Sequence, residues 1–279
     1  MALSLPQSPP PGFVALDAGR LWVAESSKSA FEAAGLTTFA AWFHLSSGEA
    51  VRQIGTRQTT RVNLATGTDP AGEIYLKRFG PLGWRERVKN WLSLKRPIHG
   101  AAPEFAAILR FRDLRIPTVE PLVFGQDRAG SLLVTRGLSG YRDLKELVQS
   151  QDPSLHPQNV RQQLAISLGD MTRRMHAAGL HHQDFYLNHI LVDVRDGTPR
   201  DPRIIDLGRV GARRRLARRW ILKDLAQLAY SAQRVSPRDL VTFLRTYLGR
   251  PLLRSDRPWL RRIAAKARWI DAHTRRHGL

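Results

Sequence analysis

Two aspartates and a lysine in this chain have the types and settings that phosphate transfer requires. Asp184 lies in the stretch MHAAGLHHQDFYLNHIL, Met175 to Leu191, where a helical pattern ends, the chain turns at Gly179 and an acid follows between apolar anchors. Asp206 closes the short apolar strand Ile204-Ile205 and precedes Leu207-Gly208. Lys77 sits inside the apolar strand pattern Ile74-Tyr75-Leu76-Lys77-Arg78-Phe79, where its charge needs a partner; Glu104, near the start of the next helical pattern, is the natural one. Phosphoryl transfer asks for a cation on the nucleotide phosphates, carboxylates for magnesium, and a group that positions or deprotonates the accepting hydroxyl. Lys77, Glu104, Asp184 and Asp206 have the chemistry for those roles. A buried Lys–Glu pair is expensive unless well hydrogen-bonded, so its expected use is orientation rather than stability.

The elements that must position these groups fit a chain of 279 residues, enough for one large domain or two lobes with separate cores. With 44 basic and 24 acidic residues the net charge is +20, which points to polyanionic partners such as nucleic acid, an anionic membrane surface or a phosphorylated ligand. The absence of cysteine excludes disulfides, cysteine nucleophiles and thiolate metal sites. The first residues, MALSLPQSPPPGFVAL, lack a basic start before an apolar core and do not read as a secretory signal. No stretch approaches 18 uninterrupted apolar residues, the length of a membrane span.

Three segments are expected. Residues 1–50 form an N-terminal extension whose form the sequence does not fix, with apolar groups at Leu21–Ala24 and Phe39–Phe43. Residues 51–136 form a β-rich nucleotide-binding lobe: strands at Val51–Ile54, Thr59–Leu64 and Ile74–Phe79, a helix opening at Pro103, and strands at Glu120–Phe124 and Ser131–Thr135. Residues 137–279 form a helical catalytic and substrate lobe, in which Leu164, Leu168, Met171 and Met175 repeat at helical spacing. Further helices are expected over Trp220–Tyr230, from Pro237, and near Trp259–His273.

Residues 175–191 resemble the catalytic loop of the protein-kinase-like fold, L-H-x-x-G-[I/L]-x-H-R-D-x-x-x-x-N, with His176, Gly179, Leu180, His182 and Asp184 in place. Gln183 replaces the usual arginine and His189 the usual asparagine. Ile205-Asp206-Leu207-Gly208 resembles the metal-binding D-F-G segment, Tyr75-Leu76-Lys77 the lysine strand, and Asp224 the helix aspartate that braces the loop. Within that superfamily the likeness is to the lipopolysaccharide core kinases, the heptose and Kdo kinases, whose H-R-D-x-Y-x-x-H-x-L is matched by Asp184, Tyr186, His189 and Leu191 and whose I-I-D-L-x-R by Ile204–Arg209.

The resemblance implies an α+β, bilobal fold, with an antiparallel β-sheet lobe carrying a helix and a mainly helical C-terminal lobe. It implies ATP and Mg2+ as cofactors and phosphorylation of a sugar hydroxyl of the inner lipopolysaccharide core, most naturally heptose, at the cytoplasmic face of the inner membrane. Asp184 then serves as the base, Lys77 with Glu104 meets the nucleotide, Asp206 and His189 face the metal, and His182 and Asp224 support the loop. Arg209 falls to the acceptor, as do Arg85 and Arg87 of the basic segment around Trp84 and Trp91. That segment also suits an anionic membrane surface. Gly55-Thr56-Arg57 is the only candidate for the phosphate-covering turn, since no G-x-G-x-x-G is present. No A-P-E segment follows Asp206, which favours a non-protein acceptor. Another small-molecule kinase on the same fold remains an alternative, as does a non-catalytic scaffold or basic nucleic-acid-binding module, although no nucleic-acid motif supports the last. The histidines 176, 181, 182 and 189 lack the spacing of a zinc site.

Overall fold

The computed structural model describes residues 3–64, 72–81 and 100–277. The chain divides into two compact units, one of Leu3–Leu109 with Val119–Ser139, the other of Arg110–Thr118 with Gly140–Leu279. The first is the strand lobe and the second the helical lobe of an α+β, bilobal chain.

The strand lobe is built on β1 (Phe13–Leu16), β2 (Leu21–Ala24), β3 (Glu49–Ile54), β4 (Arg57–Asn63), β5 (Glu73–Phe79), β6 (Pro121–Asp127) and β7 (Gly130–Arg136). They form one antiparallel sheet in the order β1-β2-β6-β7-β5-β4-β3. Residues 13–43, whose form the sequence left open, supply its first two strands and the short helices α1 (Lys28–Ala33) and α2 (Phe39–Phe43). Phe31, Phe39 and Trp42 from these helices join Leu21, Val23, Leu76, Val123 and Val134 in one apolar cluster.

Side chains alternate across a strand, so the opposite sheet face carries the other set. Registered pairs Lys77–Leu133, Leu133–Phe124 and Phe124–Trp22 run as one row across four strands. Helix α3 (Ala102–Asp113) packs on this row, with the Phe105 ring stacked 4.9 Å from Phe124 and 6.0 Å from Trp22. The alternation that sends Leu76 into the core therefore sends Lys77 toward α3.

The helical lobe comprises β8 (Tyr141–Asp143), α4 (Leu144–Ser150), α5 (Gln158–Ala177), β9 (Leu180–His181), β10 (Ile190–Asp193), β11 (Arg200–Ile204), β12 (Gly211–Ala212), α6 (Arg218–Ser231), α7 (Pro237–Leu248) and α8 (Arg257–His277). Asp143 caps α4 by accepting from Lys145 N and Glu146 N, and Ser236 caps α7 by accepting from Asp239 N. Leu164, Leu168, Met171 and Met175 are buried along α5, as their spacing requires. Gly169 lets α7 approach: a Cβ there would lie 2.7 Å from the Phe243 carbonyl oxygen. Small antiparallel sheets, β11-β10-β8 and β12-β9, fasten the loops between α5 and α6. Among the described residues no helix is long and apolar enough to cross a membrane.

Candidate active site

In the strand lobe, Lys77 Nζ lies 2.5 Å from Glu104 Oε1. Glu104 stands in the first turn of α3, where a negative charge also complements the helix dipole. Its side chain is 1% exposed and that of Lys77 16%, so the pair is largely removed from water. Glu104 is thus held from one side, while its Oε2 is buried without a hydrogen-bond partner. Gly55 occupies the tight turn between β3 and β4, with φ +56°. Arg85 and Arg87 lie outside the described residues.

The helical lobe gathers the remaining groups around the loop that follows β9. The chain leaves α5 through Gly179, whose φ of +77° and close approach to the Arg213 carbonyl exclude a larger residue. It then pairs with β12 through His181–Gly211 and Leu180–Ala212. The following loop is held from α6. Asp224, fully buried, accepts from His182 N at 2.7 Å and from Gln183 N at 2.9 Å, and its Oδ2 lies 3.3 Å from His176 Nε2. Burial alone would raise this carboxyl; the bonds from His176 and the loop amides outweigh it and hold it below the ordinary carboxylate value.

One turn further along α6, Gln227 accepts from Phe185 N at 3.1 Å and donates to Gln183 O at 2.8 Å. Ser231 accepts from Leu187 N at 2.9 Å. Asp224, Gln227 and Ser231 thus form a polar line that satisfies successive backbone groups of the loop. Sequence reasoning assigned only Asp224 here; the i, i+3, i+7 spacing of polar residues was the available signal for the other two.

His182 ties the loop to the strand before Asp206, its Nε2 lying 3.1 Å from the Ile205 carbonyl oxygen. The ring is wholly buried, and desolvation lowers its pKa, favouring the neutral form. Ile205 N donates to His189 O at 2.9 Å. His189 Nδ1 lies 2.7 Å from the Asp184 carbonyl oxygen, which can only accept, so Nδ1 carries hydrogen. Its Nε2 then faces Asp206 Oδ2 at 3.8 Å. Asp206 itself adopts a left-handed backbone conformation, φ +57° and ψ +56°, directly before the short 3-10 turn Leu207–Arg209. Gln183, also left-handed at φ +73°, donates through Nε2 to the Arg209 carbonyl at 2.6 Å.

Arg209 reaches back to Asp184, with Nη1 2.9 Å from Oδ2 and 3.2 Å from Oδ1. The structure therefore brings Asp184, His189, Asp206 and Arg209 together within this lobe, over the supports His182 and Asp224. Neither Gln183's link to Arg209 nor Arg209's contact with Asp184 was legible beforehand.

The donor set around Asp206 suits magnesium, which favours oxygen ligands and characteristically takes one or two carboxylates plus nucleotide phosphates. Among the described residues no group of three or more His, Asp or Glu forms a protein-only metal cage. The Asp206 carboxylate can hold such an ion with phosphate oxygens completing its shell, while the His189 imidazole, a softer donor poorly suited to magnesium, is placed to meet phosphate or a metal-bound water.

The model of the lipopolysaccharide kinase (Kdo/WaaP) family matches residues 42–247, most of the chain and all the groups just described. The chain belongs to the lipopolysaccharide kinase (Kdo/WaaP) family. Its similarity to the lipopolysaccharide core heptose(I) kinase WaaP of Escherichia coli strain K12 is 31% identity over 248 residues, covering 84% of this chain and 91% of the relative. The corresponding Pseudomonas aeruginosa enzyme is 32% identical over 244 residues, covering 83% and 89%. A solved structure of WaaP in complex with acyl carrier protein superposes with a TM-score of 0.63 at 25% identity, covering 95% of this chain and 98% of that one. As a Kdo/WaaP-family kinase the protein has the protein-kinase-like fold and is a phosphotransferase with an alcohol acceptor. Dependence on ATP and Mg2+ follows from membership of the family.

Proposed function

We propose that this kinase transfers the γ-phosphoryl group of ATP to a heptose hydroxyl of the lipopolysaccharide inner core. The observation that carries the reading is the link through one imidazole between the two acidic segments: His189 bonds the Asp184 backbone and faces the Asp206 carboxylate. In this reading Asp184 receives or orients the acceptor hydroxyl, and Arg209 holds its carboxylate until the acceptor arrives. Lys77, aimed by Glu104, meets the nucleotide phosphates, and Asp206 with His189 is where magnesium binds; the ion supplies charge neutralisation of the phosphate oxygens. Positioning and charge stabilisation account for most of the rate. Gly55 contributes a backbone turn over the nucleotide. Arg209, together with Arg85 and Arg87, meets anionic groups of the acceptor.

The acceptor is the lipopolysaccharide core or its anionic lipid-linked precursor, which places the enzyme at the inner face of the inner membrane. Acyl carrier protein is a second partner suggested by the relative solved with it. The helical lobe offers an apolar cavity of about 630 Å3, lined by Leu147, Leu164, Leu168, Leu225, Phe243 and Ile263, with room for an acyl chain.

The test is transfer of labelled phosphate from ATP to dephosphorylated core oligosaccharide, comparing wild type with Asp184→Asn. Magnesium-dependent labelling of heptose, lost in the variant, is expected. Labelling of Kdo or an unrelated alcohol alone would overturn the acceptor assignment. Undiminished transfer by Asp184→Asn would remove the proposed base.

A further inference from the structure

Helix α8 (Arg257–His277) lends Ile263 to the apolar cavity but enters none of the phosphate-transfer chemistry above. It carries six arginines and one lysine against a single acid, Asp271, which pairs with Arg275 at 2.8 Å. At about 100° per residue, Trp259, Leu260, Ile263, Ala267 and Ile270 share the half of the helix that is buried or half-buried. Arg257, Arg261, Arg262, Arg268, Arg275 and Arg276 all fall on the exposed half. Between them lie the exposed Pro258, Ala265 and Ala272, with Ala264 at the border and Trp269 in the same arc, so the guanidinium groups flank a shallow apolar strip.

From the edge of that strip Trp269 projects with 56% of its surface exposed. Lys266 Nζ lies 3.5 Å from the centroid of the indole, and the His273 ring stacks on it at 5.3 Å. Leu253, 54% exposed, stands just ahead of the helix. An exposed tryptophan surrounded by cations is poorly explained by water alone. It matches the headgroup layer of an anionic bilayer, where the indole meets the acyl boundary and each arginine meets lipid phosphate.

We propose that the outward face of α8 is the surface by which this kinase lies on an anionic membrane, with Trp269 at the level of the lipid headgroups. The helix then lies in the membrane plane over a length of about 30 Å. The inference rests on the reading above only in taking the acceptor to be membrane-borne. A nucleic-acid surface is less well matched, because single-stranded binding uses several aromatic platforms and this face has one indole.

The experiment is sedimentation with vesicles of phosphatidylcholine alone or mixed with phosphatidylglycerol. Wild type is compared with Arg261→Gln/Arg262→Gln/Arg268→Gln and with Trp269→Ser, whose folding is checked by thermal melting. Wild type should bind only the phosphatidylglycerol vesicles, and less as salt rises. The triple variant should partition on the order of a hundredfold more weakly, and Trp269→Ser several-fold more weakly. Both variants should keep wild-type transfer to a soluble deacylated core oligosaccharide. A triple variant that sediments like wild type would overturn the proposal. So would loss of RNA or acyl carrier protein affinity with vesicle binding intact. Failure of wild type to phosphorylate the soluble core would count against the acceptor assignment instead, leaving vesicle binding to decide the role of α8.

Discussion

Arg209 lies across the carboxylate of Asp184, with one guanidinium nitrogen in reach of both oxygens. The pair is only half-buried, with side-chain exposures of 39% and 25%, so its worth to folding is small. Its effect falls on where the carboxylate points. Arg209→Gln is expected to lower kcat on the order of a hundredfold, with a smaller change in the KM for ATP. Arg209→Lys keeps the charge but loses the planar fork and should fall between. Steady-state kinetics with a soluble acceptor separate these cases, and equal kcat in all three proteins would exclude a positioning role.

The second prediction concerns the underside of the loop. Asp224→Asn turns an acceptor of two backbone amides into a group that also presents a donor, at a cost of about 3 kcal/mol. Gln227→Ala leaves Phe185 N and Gln183 O without their side-chain partner and should cost about 2 kcal/mol. Both are expected to lower kcat more than they raise KM. Denaturant unfolding alongside kinetics makes the check. Because the folded-state pKa of Asp224 is lowered, its contribution is complete above the unfolded carboxylate range and disappears as pH falls through the folded value. Asp224→Asn should therefore flatten the acid limb of stability below about pH 4.

Lys77 and Glu104 should separate stability from activity. Removing the lysine alone leaves a carboxylate 1% exposed without its cation, so Lys77→Met is expected to destabilise by about 3–5 kcal/mol. Lys77→Met/Glu104→Gln removes both charges and should recover most of that loss, while phosphate transfer stays abolished. Recovery of transfer in the double variant would rule out a nucleotide-contacting role for the lysine.

His181 gives a pH dependence of the opposite chemical origin. Burial lowers its pKa to about 4, with Asp224 opposing, as the ring stacks 4.4 Å from Trp220. The unfolded chain binds a proton at this site near pH 6.5, the folded one only near 4, so stability declines as pH drops through that window. The expected loss is about 3 kcal/mol, and the buried His182 adds in the same direction. Chemical denaturation of His181→Gln should show a shallower decline over the same range; a slope identical to wild type would refute the assignment.

The chemistry-bearing residues were legible because each sits in a local pattern with physical content. Lys77 breaks an apolar strand, Glu104 opens a helix, Asp184 lies in a loop between apolar anchors, and Asp206 closes an apolar run. The α5 core was legible from helical spacing alone. The anchors on α6 were not, because Gln227 and Ser231 read as ordinary helix residues until the loop's unpaired amides are known. The pairing of β9 with β12 escaped notice for a different reason: strands of two residues have no periodicity to detect. Residues 13–24 carry short apolar groups typical of strands, but their place at β1 and β2 depends on pairing with β6, 100 residues onward in register at Val23–Val123.

The α6 ladder makes the reactive loop answerable to the winding of one helix. Asp224, Gln227 and Ser231 fall within about 60° of each other around its axis. A single residue inserted between Ala226 and Gln227 would swing the last two aside by about 100° while Asp224 kept its grip. The front of the loop would stay moored and the rear would drift. Such an indel, touching no residue that meets a substrate, would leave a folded protein with a misdirected centre.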